Sequence, residues 1–264
     1  MTATGLSPIA AAPAVDAPPR PSPVRLTVVE LRKAVDTRSG RWLLAAIVAA
    51  GLALMPVILF TVDAPDQDLG EFFAASQLGV SVLLPVLGIL TVTAEWSQRT
   101  ALSTFLLVPD RHRVLAAKLA ACAALAALCT AAGLAVAVLA RAAGALLGRS
   151  SGAWTVEPRP VATMLLFAVV TTMIGVAFGA LFANTPLAIV LYFLLPTVWA
   201  TLGEMVARLH GAARWLDTAK TLDPLTRPEH IGGVEWARAG VSLLVWLALP
   251  LAAGAWRLAR REVA

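Results

Sequence analysis

The chain has 264 residues, of which 59% are hydrophobic and 14% charged, with a mean hydropathy of +0.79. Soluble domains average about 45–50% apolar and about 25% charged, so an ordinary water-soluble globule is excluded and one polytopic membrane domain is expected. The net charge of +5 resides in basic residues beside apolar runs, which fits membrane orientation and anionic headgroups rather than nucleic acid.

Residues 1–23 hold six prolines among Ala, Ser and Thr. Such a segment cannot bury enough apolar surface to fold, so a disordered tail is expected, with the membrane domain running from 24 to 264. It has no basic start, and its prolines interrupt any apolar core, so it does not read as a signal peptide. In the stretch "VRLTVVELRKAVDTRSG" (24–40), Val24, Val28, Leu31 and Val35 share one narrow helical face, while Arg25, Arg32, Lys33 and Asp36 lie off it. This pattern predicts a short amphipathic helix in the membrane interface, anchored by Arg32, Lys33, Arg38 and Arg41.

Six apolar runs follow, at residues 42–62, 72–93, 119–140, 161–183, 187–202 and 239–256. Their lengths approach the roughly 20 residues that cross a bilayer as a helix, which predicts an all-α fold of six transmembrane helices. Pro56, Pro85, Pro196 and Pro250 lie inside these runs and are tolerated there because neighbours re-satisfy the freed carbonyls. Gly175 and Gly179 form a G-x-x-x-G, and the third run is almost entirely small residues. Both features allow close helix packing, read here as packing within one bundle. Cys122 and Cys129 lie about 10 Å apart along a helix, too far for a disulfide, and read as small buried hydrophobes. Residues 203–238 form the longest loop, where Leu209, Ala213 and Leu216 at helical spacing, with Trp215 and Trp236, predict short helices dipping into the outer leaflet.

Six spans put both termini on one side. The N-terminal segment, the link between the second and third runs, and the tail carry thirteen basic residues, against eight in the other loops. The first outer loop, "DAPDQDLGE", has none, so both termini are expected in the cytoplasm of a plasma-membrane protein. None of the six apolar runs contains Asp, Glu, Lys, Arg or His. Proton-coupled transporters and intramembrane hydrolases need such groups at membrane depth, and no G-x-x-x-x-G-K-[ST] or H-E-x-x-H is present. A protein without its own enzyme activity, cofactor or metal is expected, its energy supplied from outside the chain.

The link "TAEWSQRTALSTFLLVPDRHRVLAAKLA" (93–120) is the remaining polar element. Glu95 and Arg99 stand one turn apart and can pair on a helix. Leu102, Phe105 and Leu106 form an apolar patch at i, i+3, i+4, and Pro109 stops the helix. About 12 helical residues give about 18 Å, too short to span, so a surface helix with one face seeking lipid or a partner is predicted.

At these residues the chain resembles the permease subunit of a type-2 ABC exporter. The resemblance rests on "ELRKAVDTRSGRW" before the first run, on the link, and on the basic tail "WRLARREV". In the link, Glu95-Trp96, Thr100, Pro109 with Arg111, and Leu115 with Lys118 follow the family's order, although Arg99 stands where glycine is common and Trp96 where tyrosine is common. The resemblance implies that the link is a cytoplasmic coupling helix, docking on a separate ATP-binding subunit through Glu95, Trp96, Arg99, Thr100, Phe105, Leu106, Pro109 and Arg111. It also implies a second permease chain, with ATP and magnesium held by the partner and substrate moving between the permeases. An apolar path suits a hydrophobic drug, peptide or lipid. The competing readings are a membrane scaffold or immunity protein, and a secondary transporter.

Overall fold

The computed structural model describes residues 21–98, 110–222 and 232–260, and every regular element among them is helical. This is the expected outcome for so apolar a chain. A backbone without water must satisfy its own amides, and a helix does so within one segment.

Helix α1 (Pro23–Asp36) begins with Ser22, whose side chain accepts from the Arg25 amide, and with Pro23 in the first turn, where its missing N–H costs nothing. Thr37 then makes a corner. Its backbone is extended, and its hydroxyl oxygen accepts from the Gly40 amide at 3.2 Å to cap α2 (Arg38–Thr61). The amphipathic helix therefore stops four residues before the expected Gly40, and Arg38 and Arg41 stand in the first turn of α2 rather than on α1. The chain continues through α3 (Leu69–Ser97), α4 (Arg111–Leu146), α5 (Pro158–Phe182) and α6 (Thr185–Met205). Two short helices follow, α7 (His210–Leu216) and α8 (Thr218–Leu222). The last long helix is built from α9 (Gly233–Leu243), a π-turn (Leu244–Ala248) and α10 (Leu249–Arg260). The π-turn has a local cause: Pro250 lacks an N–H, and the ladder slips so that the Leu249 amide reaches the Leu244 carbonyl five residues back.

Six helices are long and apolar enough to cross a membrane, which fits a multi-pass membrane protein. They are longer than the apolar runs that announced them. The third extends over 36 residues instead of 119–140, because charged residues at both of its ends are paired inside the bundle rather than left in loops. Arg141, expected in a loop, is 3% exposed on α4. Its guanidinium donates to the carbonyls of Ser150 at 3.1 Å and Gly152 at 2.5 Å, and lies 4.5 Å from the Trp154 ring centroid. At the same end, the Gln67 amide donates to the Val62 carbonyl at 2.7 Å, and the Ser150 hydroxyl donates to the Gln67 carbonyl at 2.8 Å.

Helices α3 and α5 form the centre of the bundle, each burying over half of its apolar window, whereas α6 and the last helix bury little. Close approach explains the glycines. A Cβ on Gly175 would run into the Pro85 carbonyl, and one on Gly179 would stand 2.9 Å from the Ile89 carbonyl oxygen. The G-x-x-x-G thus lies against α3 of the same chain. Cys122 and Cys129 are both buried and unbridged on α4. The loop after α6 folds back onto the bundle: Ala213 and Leu222 are buried, and the Trp246 indole N–H donates to the Leu216 carbonyl at 2.7 Å.

Candidate functional site

Three elements meet at the end of the bundle that carries the termini: α1, the C-terminal turns of α3, and the first turns of α4. Each brings charge to an otherwise apolar junction. Helix α1 contributes Glu30 and Lys33, α3 contributes Glu95, and α4 contributes Lys118 two turns inside its start. The four side chains close a ring of alternating sign. Lys118 Nζ lies 2.6 Å from Glu30 Oε2 and 3.0 Å from Glu95 Oε1. Lys33 Nζ lies 2.7 Å from Glu30 Oε1 and 2.9 Å from Glu95 Oε1.

The ring is closed at its inner corner. Lys118 is 4% exposed, and its third N–H donates to the Thr91 carbonyl at 2.8 Å, so all three ammonium protons are used. Glu30 and Glu95 are also buried. Two cations balance two anions, so the three buried charges and the half-exposed Lys33 sum to zero. Lys33 forms the outer corner. Its burial opposes the charged form, but the Glu30 and Glu95 carboxylates outweigh that and hold its ammonium above the ordinary lysine value of 10.5. Beside the ring is a cavity of about 430 Å³ bounded by Leu26, Leu87, Leu90, Val114 and Ala117, with Glu30, Lys33 and Glu95 on its wall.

The apolar stripe on α1 has a different role from its charged face. Val24, Val28 and Val35 are exposed, while Glu30 and Ala34 are buried against the bundle and Leu31 packs partly on it. The helix turns Glu30 inward and its valines outward, while Arg25, Arg32 and Asp36 stay exposed. Arg32, Arg38 and Arg41 are exposed, and only Lys33 among the four anchor residues joins the ring.

Of the residues assigned to coupling, Glu95 lies in the ring and Trp96 follows it on α3. Arg111 opens α4 and donates to the Leu258 carbonyl near the end of α10. Arg99, Thr100, Phe105, Leu106 and Pro109, with the patch residue Leu102, lie outside the described residues. Arg113 donates to the Pro21 carbonyl at 2.6 Å, and Arg257 to the Leu181 carbonyl at 2.6 Å, so the same end is fastened at two further points.

Sequence reasoning missed Glu30 and treated Lys118 as part of a loop. The ring's long-range partners are 62, 88 and 23 residues apart, beyond any i, i+4 rule. One signal was available: Glu30 and Lys33 are an i, i+3 pair on the face of α1 that the valines leave free. Comparison with protein-family models and with curated proteins finds no match.

Proposed function

We propose that the chain is the permease subunit of a type-2 ABC exporter, driven by a separate ATP-binding subunit that docks on the link between α3 and α4, where Glu95, Trp96, Arg99, Thr100, Phe105, Leu106, Pro109 and Arg111 lie in the sequence. The observation that carries this reading is the charged ring. The two helices that enter and leave the link are α3 and α4, and Glu95 and Lys118 tie both of them to α1. A force applied to the link is therefore delivered to three helices as one body instead of being lost in a loose hairpin. Six membrane-length helices among the described residues fit such a subunit.

In this reading both termini face the cytoplasm of the plasma membrane, and α1 lies in the interface with Val24, Val28 and Val35 toward lipid. A second permease chain completes the pathway, and ATP with magnesium is held by the partner. ATP-driven closure of the partner moves the link, and the ring passes the motion to α1 and the bundle. The test is co-expression with a candidate ATP-binding subunit from the same genome, comparing the native chain with Phe105→Glu/Leu106→Glu. Loss of co-purification and of stimulated ATP hydrolysis is expected. Unchanged assembly and stimulation would refute docking at this link, and function without any ATPase would favour a scaffold.

A further inference from the structure

A second cavity, of about 520 Å³, lies toward the opposite end of the bundle from the ring, among α3, α5, α6, α8 and the π-turn. Its volume is in the ordinary range for a small-molecule site. Its walls have one chemical character. Tyr192, Phe193 and Trp246 are among the aromatic residues that line it. Tyr192 and Phe193 meet edge to face with ring centroids 4.9 Å apart. The Trp246 N–H is already committed to the Leu216 carbonyl.

Four hydroxyls along the cavity are turned the same way. Ser81, Thr171, Thr197 and Thr201 each donate to a carbonyl of their own helix, at 2.9, 2.9, 2.7 and 2.9 Å. Their protons are spent, so they offer lone pairs. Among the described residues, the charged ones on the lining are both acids, Glu204 and Asp217. Asp217 is 2% exposed; its Oδ1 accepts from the Ala219 amide, and its Oδ2 has no hydrogen-bond donor among the described residues. The half-exposed Lys220 places its Nζ 3.6 Å from that Oδ2 and 3.1 Å from Glu204 Oε1. Carboxylates, spent hydroxyls and aromatic faces all favour positive charge.

We propose that this cavity binds an organic cation with apolar substituents, which takes the place of the Lys220 ammonium between Glu204 and Asp217 and seats its apolar groups against Tyr192 and Trp246. The inference deepens the exporter reading by naming a substrate class, and rests on it only for the word substrate, since binding is a property of this chain alone.

The experiment is saturable binding of tritiated tetraphenylphosphonium to the full chain in zwitterionic nanodiscs, with empty discs subtracted. Tritiated tetraphenylborate, of the same shape and opposite charge, is assayed in a parallel experiment. Saturable binding of the cation, and binding of the anion no greater than to empty discs, are expected. Asp217→Asn keeps an oxygen for the Ala219 amide and should weaken binding about tenfold. Lys220→Met removes the competing cation and should tighten binding several-fold, a gain that damage to the fold does not produce. Ala200→Phe fills the cavity and should abolish binding. Saturable binding of tetraphenylborate that Ala200→Phe abolishes, or affinity for tetraphenylphosphonium unmoved by Asp217→Asn and Lys220→Met, would overturn the proposal. Saturable binding without any response of the partner's ATP hydrolysis would leave the site standing and count against the exporter reading instead.

Discussion

Lys118 is the residue on which the candidate site depends most. Its ammonium has three protons and three acceptors, two of them carboxylates that would otherwise face each other in an apolar junction. Removing one member of a buried ion cluster costs about 3–5 kcal/mol, chiefly because the remaining charges lose their compensation. Lys118→Met should therefore lower the detergent-phase stability of the chain by about that amount, measured by thermal or denaturant unfolding. Adding Glu95→Gln should restore part of the loss, because the ring again sums to zero, and a double-mutant cycle reads the coupling directly. Lys33 gives the pH dependence. Its value is raised on folding, so its contribution is fully present below the ordinary 10.5 and is lost as pH climbs through the raised value. The midpoint of unfolding should show no Lys33-dependent step from neutral pH to about 10, and an alkaline step that disappears in Lys33→Met.

At the scale of elements, the six long helices were legible because hydropathy reports a solvent constraint that few folds evade. Apolar runs near the bilayer length have to become helices, and the prolines within them did not alter that. The ends of the helices were less legible. Hydropathy stops counting at the first charge, whereas the helix continues wherever that charge finds a partner, as Lys118 and Arg141 do on α4. The corner at Thr37 was also hidden, since the residues around it form helix on both sides and only the capping hydroxyl marks the break. Gly175 and Gly179 were recognisable as packing glycines, and their place against Pro85 and Ile89 assigns them to the α3–α5 contact. Gly175→Leu should therefore destabilise the chain by at least the roughly 1–3 kcal/mol of an overpacked core, seen as a lower unfolding midpoint. Its oligomeric state by size-exclusion with light scattering should be unchanged. A shift in that state would move these glycines to a seam between copies.

At the scale of the whole molecule, the two ends of the bundle differ in construction. One end joins α1, α3, α4, α5 and α10 through the ring and through Arg111, Arg113 and Arg257. The other carries the folded-back helices α7 and α8 over a cavity whose lining charges are acidic. A machine driven from outside the chain needs a stiff end that receives force and an end that responds to it, and this division supports that arrangement. The sequence had marked the link by its Glu95 and its apolar patch, but not what stiffens it, because Glu30 and Lys118 are brought to Glu95 only by the packing of three helices. The central claim is that force enters through the link and is passed on by the ring. The most direct measurement is transport-stimulated ATP hydrolysis by the assembled complex, native against Glu95→Gln/Lys118→Met, a variant that keeps the junction neutral. The account predicts that this complex still assembles but loses most of the stimulation. Full stimulation from an assembled complex with the ring opened would contradict it.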